Sequence, residues 1–138
     1  FRKELVAELM SARRAVKSRD EHARDRVQDA KVALGERGEP WWEEPTEDGL
    51  RAREAATIRA LLRHRAGKTI CPSDVARTLG GDDWRDLMPQ IRDVAGEMAG
   101  VGEITVTQKG ETVDPCTACG PIRLAPGPDL AGMPADGE

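Results

Sequence analysis

Three cysteines and two histidines are the residues of this 138-residue chain that could bind a metal ion. Two of the cysteines form a C-x-x-C pair, a spacing that structural zinc sites use, although such sites need four ligands. The four residues that the predicted fold could bring close enough to bind one zinc ion are Cys71, Cys116, Cys119 and His64. We favour the simpler interpretation of two loop thiols that can oxidise together, and structural zinc is the alternative. The sequence predicts no other cofactor.

Basic side chains are concentrated in two blocks, which makes them candidates for contacts to nucleic-acid phosphates. The net charge is −4, but residues 1–34 carry nine basic against six acidic side chains, and residues 51–68 carry six against one. Residues 35–50, with one basic and six acidic side chains, separate the blocks. The alternative, which we favour for most of these residues, is a solvated helix face. The candidate nucleic-acid-binding residues are Arg13, Arg14, Arg59, Arg63, Arg65, Lys68, Lys109 and Arg123.

Trp41 and Trp42 are the largest apolar side chains of the acidic segment. An exposed aromatic pair would suit a partner-binding patch. We favour a second interpretation, in which at least one indole packs this segment into the groove between the neighbouring folded parts. Both residues therefore remain candidates for partner binding.

Catalysis finds little support in the sequence. His22 and His64 lie in charged helical stretches, without the serine, cysteine or carboxylate companions of a nucleophilic site. Gly80-Gly81 resembles a helix stop more than a phosphate-binding loop. We therefore predict no catalytic residues, no enzymatic activity and no small-molecule substrate.

The first 34 residues must position the first basic block, and their apolar spacing predicts two helices, 2–17 and 19–34. Leu5, Leu9, Ala12 and Val16 form one stripe, which Val6 and Met10 widen. The second stripe contains Ala23, Val27, Ala30 and Leu34. Ser18 and Glu21 form a capping box between the helices, and Gly35 supplies a stop. We predict a helical hairpin over residues 1–35, followed by a connector over 36–49.

A second domain is predicted over residues 50–124, with mainly α structure and a small β-hairpin. Thr46 caps a helix that runs to about Arg65, and Ser73 caps a short helix over 74–79. A third helix follows from Asp82 to Met98, and Pro89 should kink or break it. Residues 103–108 alternate as a half-buried strand, and residues 111–113 and 121–124 offer partner strands. This order is that of a winged helix-turn-helix, and residues 125–138 are predicted to be a disordered tail.

Several motifs of this domain resemble, in order, the bacterial winged-helix family of unknown function called DUF3253, over about residues 50–124. The resemblance supports the fold and implies no activity. The hairpin and connector resemble an N-terminal extension of some actinobacterial members. Cys116 and Cys119 depart from the family pattern, in which the corresponding segment usually ends in arginine and has no cysteine pair. The matching motifs are Lys68-Thr-Ile-Cys-Pro-Ser-Asp-Val-Ala-Arg-Thr-Leu79, Asp83-Trp-Arg-Asp-Leu-Met-Pro89, Val106-Thr-Gln-Lys-Gly110, Val113-Asp-Pro115 and Gly120-Pro-Ile-Arg-Leu124.

Two functions compete at this point. Winged-helix order favours a DNA-associated or regulatory protein, which is the function we predict by a narrow margin from the fold alone. The acidic third helix and the Trp-bearing connector favour the alternative, a protein-interaction or assembly module. The third helix contains five acidic residues against Arg85 and Arg92, so its face would repel phosphates. The arrangement of the arginines discriminates between the two: one continuous basic face favours nucleic acid, and interleaving with acids favours protein partners. No stretch approaches the ~18 apolar residues of a membrane span, and we expect a cytoplasmic location.

Overall fold

The computed structural model describes residues 2–17, 23–34, 46–65, 68–115 and 117–130. The fold is mainly helical with a small three-stranded antiparallel sheet, as the sequence predicts. Within the described ranges, every helix is too short or too polar to traverse a lipid bilayer. The elements, in chain order, are α1 (Arg2–Lys17), α2 (Ala23–Leu34), α3 (Glu47–His64), α4 (Pro72–Gly80), a 3₁₀ helix (Gly81–Leu87), α5 (Met88–Gly100), β1 (Ile104–Gln108), β2 (Glu111–Thr112) and β3 (Arg123–Pro126).

Helices α1 and α2 pack against each other and against α3. Leu5, Leu9 and Ala12 are buried as expected, but the rest of the predicted stripe is wrong. Val6, Met10 and Val16 are 45%, 38% and 38% exposed. Glu8, whose carboxylate forms a buried pair with an arginine of α2, lies on the same buried face as Leu5, Leu9 and Ala12. The capping box Ser18–Glu21 and Gly35 lie outside the described residues.

Helix α3 is the central element, in contact with the hairpin on one side and with α4 and α5 on the other. Thr46 caps it as predicted, since its hydroxyl oxygen accepts a hydrogen bond of 3.0 Å from the amide of Gly49. Ile58, Leu61 and Leu62 are fully buried in the one hydrophobic core that unites the described elements. One apolar cluster therefore spans hairpin and second domain.

Helix α4 begins earlier than predicted, at Pro72, and its N-cap residue is Cys71 instead of Ser73. The Asp74 carboxylate accepts a 3.0 Å hydrogen bond from the Cys71 amide, while Pro72 suits the first helical position because it has no amide hydrogen to satisfy. The predicted third helix is divided, with the break between the 3₁₀ helix and α5 close to Pro89. The expected effect of this proline is confirmed.

The sheet has the strand order β2-β1-β3, and both pairs are antiparallel. Lys109 and Gly110, with φ angles of 54° and 85°, form the two-residue turn of the β1–β2 hairpin. Ile70 makes an isolated bridge to Leu124, which attaches the segment before α4 to β3. The winged-helix interpretation is based on this order of helices and strands.

The predicted onset of the disordered tail is wrong. Strand β3 continues to Pro126, and the amide of Gly127 donates a 2.8 Å hydrogen bond to the carbonyl of Glu103. Leu130 is buried in the hydrophobic core. Residues 125–130 therefore belong to the folded domain, where they pack beside β1 on the edge opposite to β2. Residues 131–138 lie outside the described residues.

Candidate interaction surface

Arg65, at the end of α3, is held by two carboxylates from different elements. Its guanidinium makes a two-pronged contact with Glu4 of α1, at 2.6 Å from Nε to Oε2, and a 3.1 Å contact with Asp74 of α4. The hydrogen bonds from Arg65 hold the pKa of Glu4 below its usual value. Arg65 therefore joins α1, α3 and α4.

Arg59 and Arg63, one turn apart on α3, converge on Asp29 of α2. Arg59 also makes a two-pronged contact with Glu103, at 3.0 and 3.2 Å, so it links α2, α3 and the start of the sheet. The Arg63 side chain is only 2% exposed. These guanidiniums face carboxylates of their own chain, and their charge is largely neutralised there.

The remaining candidate cations are scattered over several elements. Arg123 donates to the hydroxyl and carbonyl oxygens of Thr69, at 2.8 and 2.9 Å, which fastens β3 to the segment before α4. Lys68 and Lys109 are exposed, and Arg13 and Arg14 are exposed on α1. Among the described candidates, Arg59, Arg63 and Arg65 are paired with carboxylates of their own chain.

Arg26 and Glu8 form a buried ion pair inside the hairpin, which the sequence analysis missed. The contacts are 3.0 Å from Nε to Oε2 and 2.9 Å from Nη2 to Oε1, and Ser11 accepts a further 3.0 Å bond. A signal was available, because Glu8 lies between Leu5 and Ala12 on the apolar side of α1. A charged residue in that position predicts a buried partner.

The 3₁₀ helix and the end of α4 carry a second feature that the sequence analysis missed. The guanidinium carbons of Arg77 and Arg85 lie 4.6 and 4.5 Å from the ring centroid of Trp84. Trp84 is only half-buried. Asp82 contributes to the same concave surface.

A model of the family described as "Protein of unknown function (DUF3253)" matches residues 51–126, which is more than half of the chain. The chain belongs to the DUF3253 family. The family resemblance found in the sequence is thereby confirmed. No curated protein matches the chain.

The match places the hairpin outside the DUF3253 domain and α3 inside it. Glu4, Asp29 and the carbonyl of Ala33, which accept from arginines of α3, all lie in the hairpin. In this chain, the basic helix of the DUF3253 domain is therefore covered by an acidic and apolar surface that precedes the domain.

The acidic residues predicted on the third helix are exposed on the DUF3253 domain. Asp82, Asp83 and Asp86 lie on the 3₁₀ helix, and Asp93 lies on α5. Arg92, one of the two basic residues there, points its guanidinium at backbone carbonyls of the loop before β3, at 2.7 to 3.3 Å. The outer surface of these two helices is thus mostly acidic.

The predicted metal ligands do not converge in the described part of the chain. Cys71 caps α4 beside Ser73, His64 is exposed at the end of α3, and Cys119 is exposed in the loop before β3. Among the described residues, no group of three or more His, Cys, Asp or Glu side chains is placed to hold a metal ion. Cys116, Trp41 and Trp42 lie outside these residues, so zinc binding and partner binding by the tryptophans stay predictions.

Proposed function

We propose that this DUF3253 protein is a non-catalytic protein-interaction module whose partner contacts the outer surface of the 3₁₀ helix and α5. The observation that carries the proposal is the pairing of the α3 arginines with carboxylates of the hairpin. Interleaved charges of this kind favour protein partners over a phosphate backbone, which needs a continuous positive surface.

The exposed acidic side chains indicate what kind of partner this surface would bind. Asp83 and Asp86 are exposed on the 3₁₀ helix, and Asp93 and Glu97 are exposed on α5. Glu97 pairs with Arg51 of α3, and the hydrogen bond from Arg51 lowers the pKa of Glu97. Charge complementarity would bring basic side chains of the partner to this surface and speed the encounter at low salt.

A DNA-associated role is favoured by the order of the elements and by that order alone. In a winged helix-turn-helix, the element that would enter the major groove is the one that carries these acids. Each exposed carboxylate there would face phosphates spaced at ~1.7 Å of duplex axis. We therefore place protein binding ahead of nucleic-acid binding.

The test is capture of partners by the full chain from a nuclease-treated lysate, with Asp86→Lys as the variant and Glu111→Lys as its control. Both replace an exposed acid by lysine, but Glu111 lies on β2, away from the proposed surface. We expect a nuclease-resistant partner that the wild type and Glu111→Lys retain and Asp86→Lys loses. Capture that disappears with nuclease, or that Asp86→Lys leaves unchanged, would contradict the proposal.

A further inference from the structure

Arg77 and Arg85 differ from the arginines of α3 in what surrounds them. Their described contacts are with the indole of Trp84, and in the described ranges neither guanidinium has a carboxylate within salt-bridge distance. Both side chains are exposed. Their guanidinium groups are therefore accessible to a ligand.

The fold holds this group in place through the junction of α4 with the 3₁₀ helix. A Cβ added at Gly80 would lie 3.0 Å from the side chain of Leu87 and 3.4 Å from the Cβ of Trp84, so the 3₁₀ helix packs closely on the end of α4. Gly81, with a φ of 56°, makes the change of direction between them. Trp84 packs its inner side against the hydrophobic core.

The arrangement suits an anion more than a flat apolar ligand. Stacking on an indole uses the face of a guanidinium and leaves its N–H groups available in the plane, where they can bind a carboxylate with two parallel hydrogen bonds. The same stacking occupies the ring, which makes base stacking on Trp84 unfavourable. Arg77, Trp84 and Arg85 line an open cavity of about 530 Å³ together with Gly81 and Asp82.

The acidic side chains beside the cavity favour some anions over others. Asp82 lines the cavity, and Asp83 and Asp86 are exposed on the same 3₁₀ helix. A phosphate group carries about −1.5 to −2 charges at neutral pH and would be repelled by these carboxylates more strongly than a singly charged carboxylate. The three aspartates would in turn attract cations placed beside the bound anion.

We infer that Arg77, Trp84 and Arg85 form a clamp for the carboxylate of an acidic side chain in the partner protein, within a segment where basic residues flank that acid. This inference rests on the proposed protein-interaction function and specifies what the partner must present. The clamp binds the carboxylate, and Asp82, Asp83 and Asp86 bind the flanking ammonium or guanidinium groups.

The experiment uses the full chain and two blocked decapeptides, one with a central glutamate flanked by lysines and one with glutamine in its place. Binding is followed by NMR through the indole N–H signal of Trp84, assigned with Trp84→Phe, and through the Nε–H signals of the arginines. We expect saturable shifts with the glutamate peptide and about tenfold weaker binding of the glutamine peptide, since one charge-assisted contact is lost. Arg77→Gln and Arg85→Gln should each weaken the glutamate peptide about tenfold, whereas Arg13→Gln on α1 should not.

The glutamine peptide is the more positive of the two, so attraction to the acidic surface alone predicts that it binds equally well or better. That result would overturn the clamp and leave the protein-interaction function standing. Absence of saturable shifts with the glutamate peptide would likewise overturn the clamp. Preference of the same signals for a phosphoserine peptide would also overturn it, and preference for single-stranded DNA would overturn both proposals.

Discussion

Glu54 is a fully buried carboxyl on α3, and its ionisation should control how the stability of the protein depends on pH. Its nearest polar partner in the described part of the chain is the side-chain amide of Gln90 on α5, which donates at 2.8 and 3.0 Å when its nitrogen faces the carboxyl. Burial raises the pKa of Glu54 from 4.5 to about 7, and the positive charge of Arg51 opposes this weakly. Arg51 is itself paired with Glu97.

The sign of the effect follows from the raised pKa. Below pH 4.5 the Glu54 carboxyl is protonated in both the folded and the unfolded chain, and it does not penalise folding. Between that pH and about 7 only the unfolded chain ionises, so the free energy of unfolding falls as pH rises. A shift from 4.5 to about 7 corresponds to a total loss of about 3 to 4 kcal/mol, of which about 2 to 3 kcal/mol falls between about pH 5 and about pH 8.

The perturbation is Glu54→Gln, which keeps the shape and the hydrogen bond to Gln90 but cannot ionise. Urea unfolding, followed by far-UV circular dichroism, gives the free energy of unfolding at about pH 5 and about pH 8. The variant should exceed the wild type by about 2 to 3 kcal/mol more at the higher pH than at the lower. Glu111→Gln, an exposed control, should follow the wild type. Parallel pH profiles of Glu54→Gln and wild type would show that Glu54 does not ionise with a raised pKa in the folded protein.

Three further predictions concern stability and use the same unfolding measurement. Glu8→Ala should cost about 3 to 5 kcal/mol, because it removes the buried carboxylate that accepts two hydrogen bonds from the buried Arg26 guanidinium; a cost below about 1 kcal/mol would contradict the buried pair. Glu4→Gln should cost about 1 to 2 kcal/mol near neutral pH. Because the pKa of Glu4 is lowered, the difference in unfolding free energy between wild type and Glu4→Gln should be lost as pH falls below about 4.5. A difference that stays constant over this pH range would contradict the ion pair between Glu4 and Arg65. Gly127→Ala should destabilise by about 1 to 3 kcal/mol, since the new Cβ would lie 2.3 Å from a backbone carbonyl oxygen, whereas Gly100→Ala has open space and should be neutral or stabilising.

The elements that the sequence predicted well are those with a strong local signal. The alternation of Ile104 and Val106 with threonines indicates β1, and Thr46 marks the start of α3 by its capping hydroxyl. Pro89 indicates the break before α5 because a proline cannot supply an interior helix hydrogen bond. Each of these signals spans only a few residues.

The partners of the arginines could not be predicted in this way. Arg65 and Glu4 are 61 positions apart, and their contact depends on how the hairpin docks on α3. The amino-acid composition identifies the basic block at residues 51–68, but it does not show which of these side chains are covered by another helix. The exposure of Val6 and Met10 also depends on docking, because the buried face of α1 contains the Glu8–Arg26 pair as well as apolar residues.

The Trp84 group was missed for a different reason. A tryptophan at helical spacing from Leu87 and Ile91 is ordinarily a core residue, and Trp84 does contact the core. Its seven-residue separation from Arg77 across Gly80 and Gly81 becomes meaningful only when the 3₁₀ helix folds back on α4. The candidate site therefore depends on a turn whose geometry the sequence alone leaves open.

Arg59, Arg63 and Arg65 are paired with carboxylates of the hairpin, and we expect them not to be available to nucleic acid. Fluorescence anisotropy of a labelled DNA duplex, titrated with the full chain at about 50 mM salt, tests this expectation most directly because phosphate contacts are strong under that condition. We predict no saturable rise in anisotropy. Saturable binding that weakens steeply with salt, and that Arg59→Gln or Arg65→Gln reduces, would contradict the claim.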